Sequence, residues 1–179
     1  REAVIVEGYT DVMLLHKHGI DNSIATMGTS LSDYQIDTLQ KYCDDIILFI
    51  EDDEAGREFA RKQVSKLHEV GMKVNIVASE LGDPADVCLA KKDKTGLFIK
   101  NKAVLASQFY LERIINKYRN EVTNAQLEAL REMKSLFKIA FSPAEKDMYI
   151  KQASSALDLS SKTLIKELDN LNEEQIKSA

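Results

Sequence analysis

The chain has 179 residues, of which 44% are hydrophobic and 30% are charged. This composition is ordinary for a globular protein and excludes gross disorder, collagen-like repeats and fibrous coils. The net charge of -5 argues against a generic basic nucleic-acid binder, and two cysteines are too few for a zinc cluster.

The first half of the chain alternates short apolar strands with helices. Strands are predicted at residues 3–6, 23–27, 46–50 and 73–78, and helices at 11–19, 32–42 and 55–70. Strands this apolar are typical of a parallel sheet that is buried on both faces, and the intervening helices are long enough for crossovers. The pattern predicts an α/β domain over residues 1–100, with an open parallel sheet of about four strands flanked by helices.

The second half has a different pattern, because strand signals end near residue 103 and apolar residues then recur at helical spacing. Pro143 is expected at the first position of a helix, and Ser160 or Ser161 is expected to cap a last helix. The apolar residues of that last helix are Leu164, Ile165, Leu168 and Leu171. Residues 101–179 are therefore predicted to form an all-helical bundle subdomain.

Acidic side chains follow three of the predicted strands. Glu7 follows the first strand, Glu51 and Asp53 follow the third, and Asp83 and Asp86 follow the fourth. Ligands of such sheets bind outside the carboxyl ends of the strands, and clustered carboxylates repel one another unless a cation joins them. The placement predicts a Mg²⁺ or Mn²⁺ site with a phosphate-bearing substrate. The alternative is that each residue simply belongs to a turn, a solvated loop or a helix start.

Four motifs occur in a fixed order along the first half of the chain. They are Glu7-Gly8-Tyr9-Thr10-Asp11, Gly28-Thr29-Ser30, Asp53-Glu54-Ala55-Gly56-Arg57 and Asp83-Pro84-Ala85-Asp86. Together they resemble the motifs of Toprim domains, and more narrowly those of bacterial DnaG-type primases. The resemblance covers about residues 3–95, and the helical half is similar to the bundle that follows the Toprim domain in primases. Two departures are that Glu51-Asp52-Asp53 stands where the family has Asp-Gly-Asp, and that Ala85 separates Pro84 from Asp86.

The resemblance implies template-directed synthesis of RNA primers on single-stranded DNA, with Mg²⁺ or Mn²⁺ as cofactor. It makes Glu7 the catalytic carboxylate and a metal ligand, and Asp11 a catalytic-site residue that braces the first loop. The other implied metal ligands are Glu51, Asp53, Asp83 and Asp86. The implied contacts with nucleotide phosphates are Gly28, Thr29 and Ser30. Arg57 is a further candidate for a phosphate contact, because it lies next to the acidic loop.

The implied partners are the single-stranded DNA template, nucleoside triphosphates, the nascent RNA primer and, through other regions of the parent, a replicative helicase. The chain enters a strand at once, so we expect a fragment of a longer cytoplasmic protein. No apolar run reaches the roughly 18 residues of a membrane span. The zinc module and basic template-binding lobe of such primases are expected outside the fragment, which would be weakly active or inactive alone. Two other functions stay open, namely a Toprim nuclease or topoisomerase, and a non-catalytic Toprim module that binds DNA or partners, as in recombination mediators.

Overall fold

A computed structural model of the chain describes residues 1–119, 125–139 and 142–166. The chain divides into two compact units, Arg1–Ala106 and a unit that begins at Ser107. The strands are β1 (Glu2–Val6), β2 (Ser23–Ala25), β3 (Asp45–Glu51), β4 (Lys73–Ser79) and β5 (Val104–Leu105). The helices of the first unit are α1 (Tyr9–Lys17), α2 (Asp33–Leu39), α3 (Glu54–Glu69), α4 (Pro84–Lys91) and α5 (Thr95–Lys102). The later helices are α6 (Ala106–Tyr118), α7 (Ala125–Lys138) and α8 (Pro143–Leu157), and residues 161–166 are also helical.

The first unit is built on a five-stranded sheet with the order β2-β1-β3-β4-β5. Strands β1 to β4 are parallel, and Ile5 of β1 lies opposite Ile24 of β2 and Leu48 of β3. Strand β3 is buried from Ile46 to Ile50, as expected when helices cover both faces of a sheet. The predicted α/β fold with a mainly parallel sheet is therefore confirmed.

The sheet has a fifth strand that sequence reasoning missed. Val104 and Leu105 pair with β4 in the antiparallel sense, with Val104 opposite Ile76 and Leu105 opposite Asn75. The expectation that strands end near residue 103 was therefore wrong. Two residues are too few to show the alternation of a strand, and it is pairing with the edge of β4 that makes them one.

Helices cover the sheet on its two faces. The buried cluster on one face draws on α1, α4 and α5 and contains Val4, Val6, Leu15, Ile47, Phe49, Val77, Val87, Cys88 and Ile99. Helix α3 packs against β3 and β4 and buries Phe59, Ala60, Val64 and Leu67. Helix α2 begins where predicted, since the side chain of Ser32 accepts a hydrogen bond from the backbone N–H of Gln35. Both cysteines are buried free thiols.

The second unit has a core of its own, made by side chains of α6, α7, α8 and the last helical segment. Its buried residues are Leu111, Ile114, Tyr118, Ala129, Leu130, Met133, Leu136, Tyr149, Ala153, Leu157 and Leu164. Pro143 opens α8 as predicted, and the hydroxyl of Ser160 accepts from the N–H of Thr163, so Ser160 is the cap of the last segment. The predicted core positions Leu168 and Leu171 lie outside the described residues. No helix in the described ranges is long and apolar enough to cross a bilayer.

A polar network lies inside this helical unit. The hydroxyl groups of Ser107 and Tyr149 lie 2.7 Å apart, and the Tyr149 hydroxyl donates to a carboxylate oxygen of Glu145 at 2.6 Å. Ser107 also donates to Glu145. Burial, reinforced by the hydrogen bond to Glu145, raises the pKa of Tyr149, so its hydroxyl stays protonated and remains a donor.

Candidate metal and nucleotide site

Acidic side chains lie at the carboxyl edge of three adjacent strands. Glu7 follows β1, Glu51 ends β3, and Asp83 lies in the loop between β4 and α4. Because β1, β3 and β4 are neighbours and run parallel, their carboxyl ends share one edge of the sheet. All three side chains are exposed there, so a ligand from solution can reach them.

Asp53 and Asp83 both act as helix caps. One carboxylate oxygen of Asp53 accepts from the N–H of Gly56 at 2.7 Å, which begins α3. One oxygen of Asp83 accepts from the N–H of Asp86 at 2.8 Å, which begins α4. In the described part of the structure, the second oxygen of each cap accepts no hydrogen bond, so it is available to a ligand. The Asp83-Pro84 pair thus starts a helix rather than an isolated turn, with Pro84 at the first helical position.

A glycine lies in close contact in each of the two acidic loops. A Cβ atom at Gly56 would collide with the carbonyl oxygen of Glu51, so only glycine lets α3 start directly against the end of β3. Gly82 has a φ of +104°, and a Cβ atom there would collide with the carboxylate of Asp86. The exposed Asp86 lies in the first turn of α4, beside the Asp83 cap.

Asp11 is the buried member of the acidic group, with only 6% of its surface exposed. Its two carboxylate oxygens accept from the N–H of Gly8 at 3.1 Å and from the N–H of Ala85 at 3.2 Å. Burial raises the pKa of Asp11, the hydrogen bonds from Gly8 and Ala85 oppose the rise, and the nearby charges of Asp83 and Glu7 add to it. Asp11 therefore ties the loop after β1 to the start of α4.

Asp52 and Arg57 form an ion pair within the loop after β3. The Arg57 guanidinium donates to the carbonyl oxygen and to the carboxylate of Asp52, both at 3.0 Å, and to Glu54 at 3.2 Å. The extra carboxylate that departs from the family pattern is thus used to hold Arg57. Three of the five N–H groups of Arg57 are engaged within the protein, so its predicted phosphate contact would use the remaining two.

The loop between β2 and α2 carries the predicted phosphate-binding residues Gly28, Thr29 and Ser30. It leaves the sheet through Met27, which has a positive φ of 58° and donates its N–H to the carbonyl oxygen of Glu7 at 3.2 Å. The hydroxyl of Thr26 donates to the carbonyl oxygen of Gly28 at 2.7 Å. Gly28 and Thr29 are exposed, so their backbone groups lie at the surface. They directly follow Met27, whose N–H contacts Glu7.

Gln63 of α3 is a site residue that sequence reasoning missed. Its side chain is fully buried, accepts from the N–H of Leu31 at 2.8 Å and donates to the carbonyl oxygen of Thr29 at 3.2 Å. The signal was present, because Gln63 lies four residues after Phe59 and one before Val64, on the apolar face of the helix. A polar side chain on such a face requires hydrogen-bond partners, and here the partners belong to the loop after β2.

The donor atoms at this edge suit a hard divalent cation. Exposed carboxylate oxygens are the ligands that Mg²⁺ and Mn²⁺ prefer, so the residues present fit such an ion. Within the described ranges, no three or more His, Cys, Asp or Glu side chains stand close enough together to hold a metal ion. The metal roles of Glu7, Glu51, Asp53, Asp83 and Asp86 and the catalytic role of Asp11 stay predictions.

Comparison with known proteins identifies the first unit. The model of a family described as Toprim-like matches residues 4–88. The chain is 32% identical over 182 aligned positions to the DNA primase of Geobacillus stearothermophilus, covering 99% of this chain and 30% of the primase. Residues 4–88 are a Toprim-like domain related to those of DNA primases. The resemblance to DnaG-type primases is thereby confirmed.

Solved structures show the same fold around the Toprim-like domain. A DNA primase domain from Pseudomonas aeruginosa superposes with a TM-score of 0.73 at 21% identity, covering 94% of this chain and 54% of that one. A DnaG primase catalytic domain bound to single-stranded DNA superposes with a TM-score of 0.69 at 18% identity, covering 90% of this chain and 53% of that one. At these identities, the likeness shows the fold of both the Toprim-like domain and the helices that follow.

Proposed function

We propose that this chain supplies the nucleotidyl-transfer site of a DNA primase, which makes RNA primers on single-stranded DNA. The observation that carries the proposal is the acidic edge of β1, β3 and β4 on a Toprim-like domain whose relatives are DNA primases. Because those relatives are primases rather than topoisomerases or recombination mediators, the primase function is favoured over the other Toprim functions.

The exposed carboxylates at the sheet edge would hold Mg²⁺ or Mn²⁺. The residues proposed as ligands are Glu7, Glu51, Asp53, Asp83 and Asp86. When bound, such an ion neutralises charge on the triphosphate and lowers the pKa of the attacking hydroxyl. Asp53 and Asp83 suit the role because the capping hydrogen bond fixes one oxygen of each carboxylate and leaves the other available. Each carboxylate is thus already oriented before an ion binds.

Two residues of the first motif, Glu7 and Asp11, would have different roles in catalysis. Glu7 is exposed at the end of β1, where it can accept a proton from the primer 3′-hydroxyl. Asp11 is buried and holds Gly8 and Ala85, so it keeps the loops beside Glu7 and Asp83 in place. We therefore propose a catalytic role for Glu7 and a positioning role for Asp11.

The nucleotide would lie against the loop of Gly28, Thr29 and Ser30. The exposed backbone groups of Gly28 and Thr29 suit phosphate oxygens, and Arg57 would offer a guanidinium from the loop after β3. The net charge of −5 is unfavourable for binding a DNA backbone, so most template contacts are proposed to lie outside this chain. The chain alone would then synthesise primers poorly. The zinc module, the helicase contact and a place of action in the cytoplasm likewise belong to the proposed whole protein.

The first test uses the 179-residue chain and its melting temperature. Millimolar Mn²⁺ is expected to raise the melting temperature of the wild type, because an ion that binds only the folded state stabilises it in proportion to its saturation. Glu7→Gln should reduce the rise. Glu2→Gln is the matched control, since Glu2 is an exposed carboxylate at the opposite end of the same strand. Equal rises in all three proteins would contradict the assignment of Glu7 as a ligand.

The second test measures primer synthesis by the longer protein that contains this chain. Glu7→Gln should abolish synthesis while binding of single-stranded DNA stays nearly unchanged, because phosphate contacts depend on basic residues. Normal synthesis by this variant would overturn the catalytic assignment. Loss of template binding together with synthesis would point to a folding role for Glu7 instead.

A further inference from the structure

Gln63 holds the loop after β2 from beneath. It is fully buried, its amide oxygen accepts from the N–H of Leu31 at 2.8 Å, and its amide nitrogen donates to the carbonyl oxygens of Thr29 and Phe59, each at 3.2 Å. The orientation of the amide follows from these partners, since an N–H group requires the oxygen and a carbonyl requires the nitrogen. Three hydrogen bonds thus fix one side chain between helix and loop.

The loop is held at two further points. The ammonium group of Lys66 donates to the carbonyl oxygen of Leu31 at 2.8 Å, one helical turn beyond Gln63. At the other end, the N–H of Met27 donates to the carbonyl oxygen of Glu7, and the hydroxyl of Thr26 donates to the carbonyl oxygen of Gly28 within the loop. Residues 28 and 29 are exposed, so the path of their backbone depends on these anchors.

We propose that Gln63 is a positioning residue for nucleotide binding, which sets the backbone of the Gly28–Ser30 loop so that it receives the triphosphate. This inference rests on the proposed function, because it assumes that the loop contacts nucleotide. It adds a residue outside all four family motifs, carried by the helix that also begins at the Asp53 cap. The same helix therefore orients both a candidate metal ligand and the phosphate loop.

The consequence is a specific kind of defect when Gln63 is changed. Gln63→Met keeps the length of the side chain but removes all three hydrogen bonds, so the N–H of Leu31 is left without its acceptor. The loop should then sample other backbone conformations, and only one of them matches the phosphates. We expect nucleotide affinity to fall about tenfold, because only the fraction of molecules with the matching loop conformation binds nucleotide.

The experiment measures binding of a fluorescently labelled ATP, with Mn²⁺ present, to the 179-residue chain and its variants. Val64→Ala is the matched control, because Val64 is the buried neighbour on the same helix and makes no polar contact with the loop. Val64→Ala should lower the melting temperature without changing nucleotide affinity. Hydrogen exchange at the Leu31 amide gives a second measurement, which should accelerate in Gln63→Met and not in Val64→Ala.

The outcomes separate this inference from the proposed function. If the wild type and Gln63→Met bind labelled ATP with equal affinity, the role of Gln63 is overturned and the proposed function stands. A wild type that binds no nucleotide overturns both. If Gln63→Met does not fold, Lys66→Met decides, since it removes a half-exposed contact with Leu31, and unchanged affinity in that variant overturns the inference.

Discussion

The loops that follow β3 and β4 have the same kinds of residue, but the side chains that hold them come from different distances along the chain. Each has an aspartate cap, Asp53 or Asp83, and a glycine whose Cβ would collide with a neighbour. The side chains that hold the loop after β3 belong to the loop itself, because Arg57 binds Asp52 five positions earlier, and the backbone N–H of Asp52 also donates to the carbonyl oxygen of Ser79 at 2.8 Å. The loop after β4 is held by Asp11, which lies 74 residues before Ala85.

This difference separates local from long-range construction of one site. The cap and the ion pair of the first loop join residues no more than five positions apart, so these two contacts depend little on the rest of the unit. The second loop reaches its position only when α1 packs against α4. We therefore expect a substitution in the first loop to disturb only that loop, by steric collision. A substitution of Asp11 should disturb the conformation of two loops at once.

The largest effect is expected from Gly56→Ala. The added Cβ would meet the carbonyl oxygen of Glu51, a backbone atom that cannot rotate away, so the start of α3 must shift. We expect a loss of about 3 kcal/mol in the free energy of unfolding. Urea denaturation measures this, with Gly28→Ala as control, since a Cβ at Gly28 meets no atom within 4 Å. Equal effects of the two variants would contradict the close approach of α3 to β3.

Asp11→Asn should have the next largest effect. The amide can accept one of the two backbone N–H groups but must turn its own NH₂ toward the other, which costs about 2 kcal/mol. Urea denaturation at pH 7 measures the loss. Asp21→Asn, in an exposed turn, is the control and should change little.

The stability gap between wild type and Asp11→Asn should also depend on pH. Burial raises the pKa of Asp11 above its ordinary 3.8, so the folded state binds the proton more tightly than the unfolded state. Acidification through the raised pKa therefore stabilises the wild type relative to the variant, and this gain is complete below the unfolded value. A gap that moves the other way as pH falls from 7 to 4 would show that the Asp11 carboxylate is stabilised as an anion.

The smallest effect is expected from Arg57→Met. The pair with Asp52 is partly shielded, with 26% and 21% of the two side chains exposed, so its loss should cost about 1 kcal/mol. The loss should shrink in high salt because ions screen the pair. Arg61→Met is the control, since its pair with Glu58 is more exposed, at 69% and 43%. A larger effect for Arg61→Met in thermal unfolding would contradict the proposed bracing of the loop by Arg57.

Much of this protein could be predicted from the sequence because the deciding contacts are local. The helix starts at Ser32 and at Pro143 depend on three or four neighbouring residues. The apolar run from Ile46 to Ile50 is sufficient to mark a strand buried on both faces. The order of the acidic motifs was also sufficient to place Glu7 and Glu51 at one edge of a parallel sheet, because parallel strands align their carboxyl ends.

Other features were decided only by tertiary structure. Strand β5 exists because Val104 meets Ile76, and Asp11 is shared between two loops because α1 packs against α4. The polar side chain of Gln63 is accommodated on an apolar face because two of its three hydrogen-bond partners lie more than 30 residues earlier. In each case the deciding contact is not made within the local segment and so does not affect its local conformational preference. Hydrogen-bond partners and strand edges that are distant in sequence become neighbours only when the chain folds.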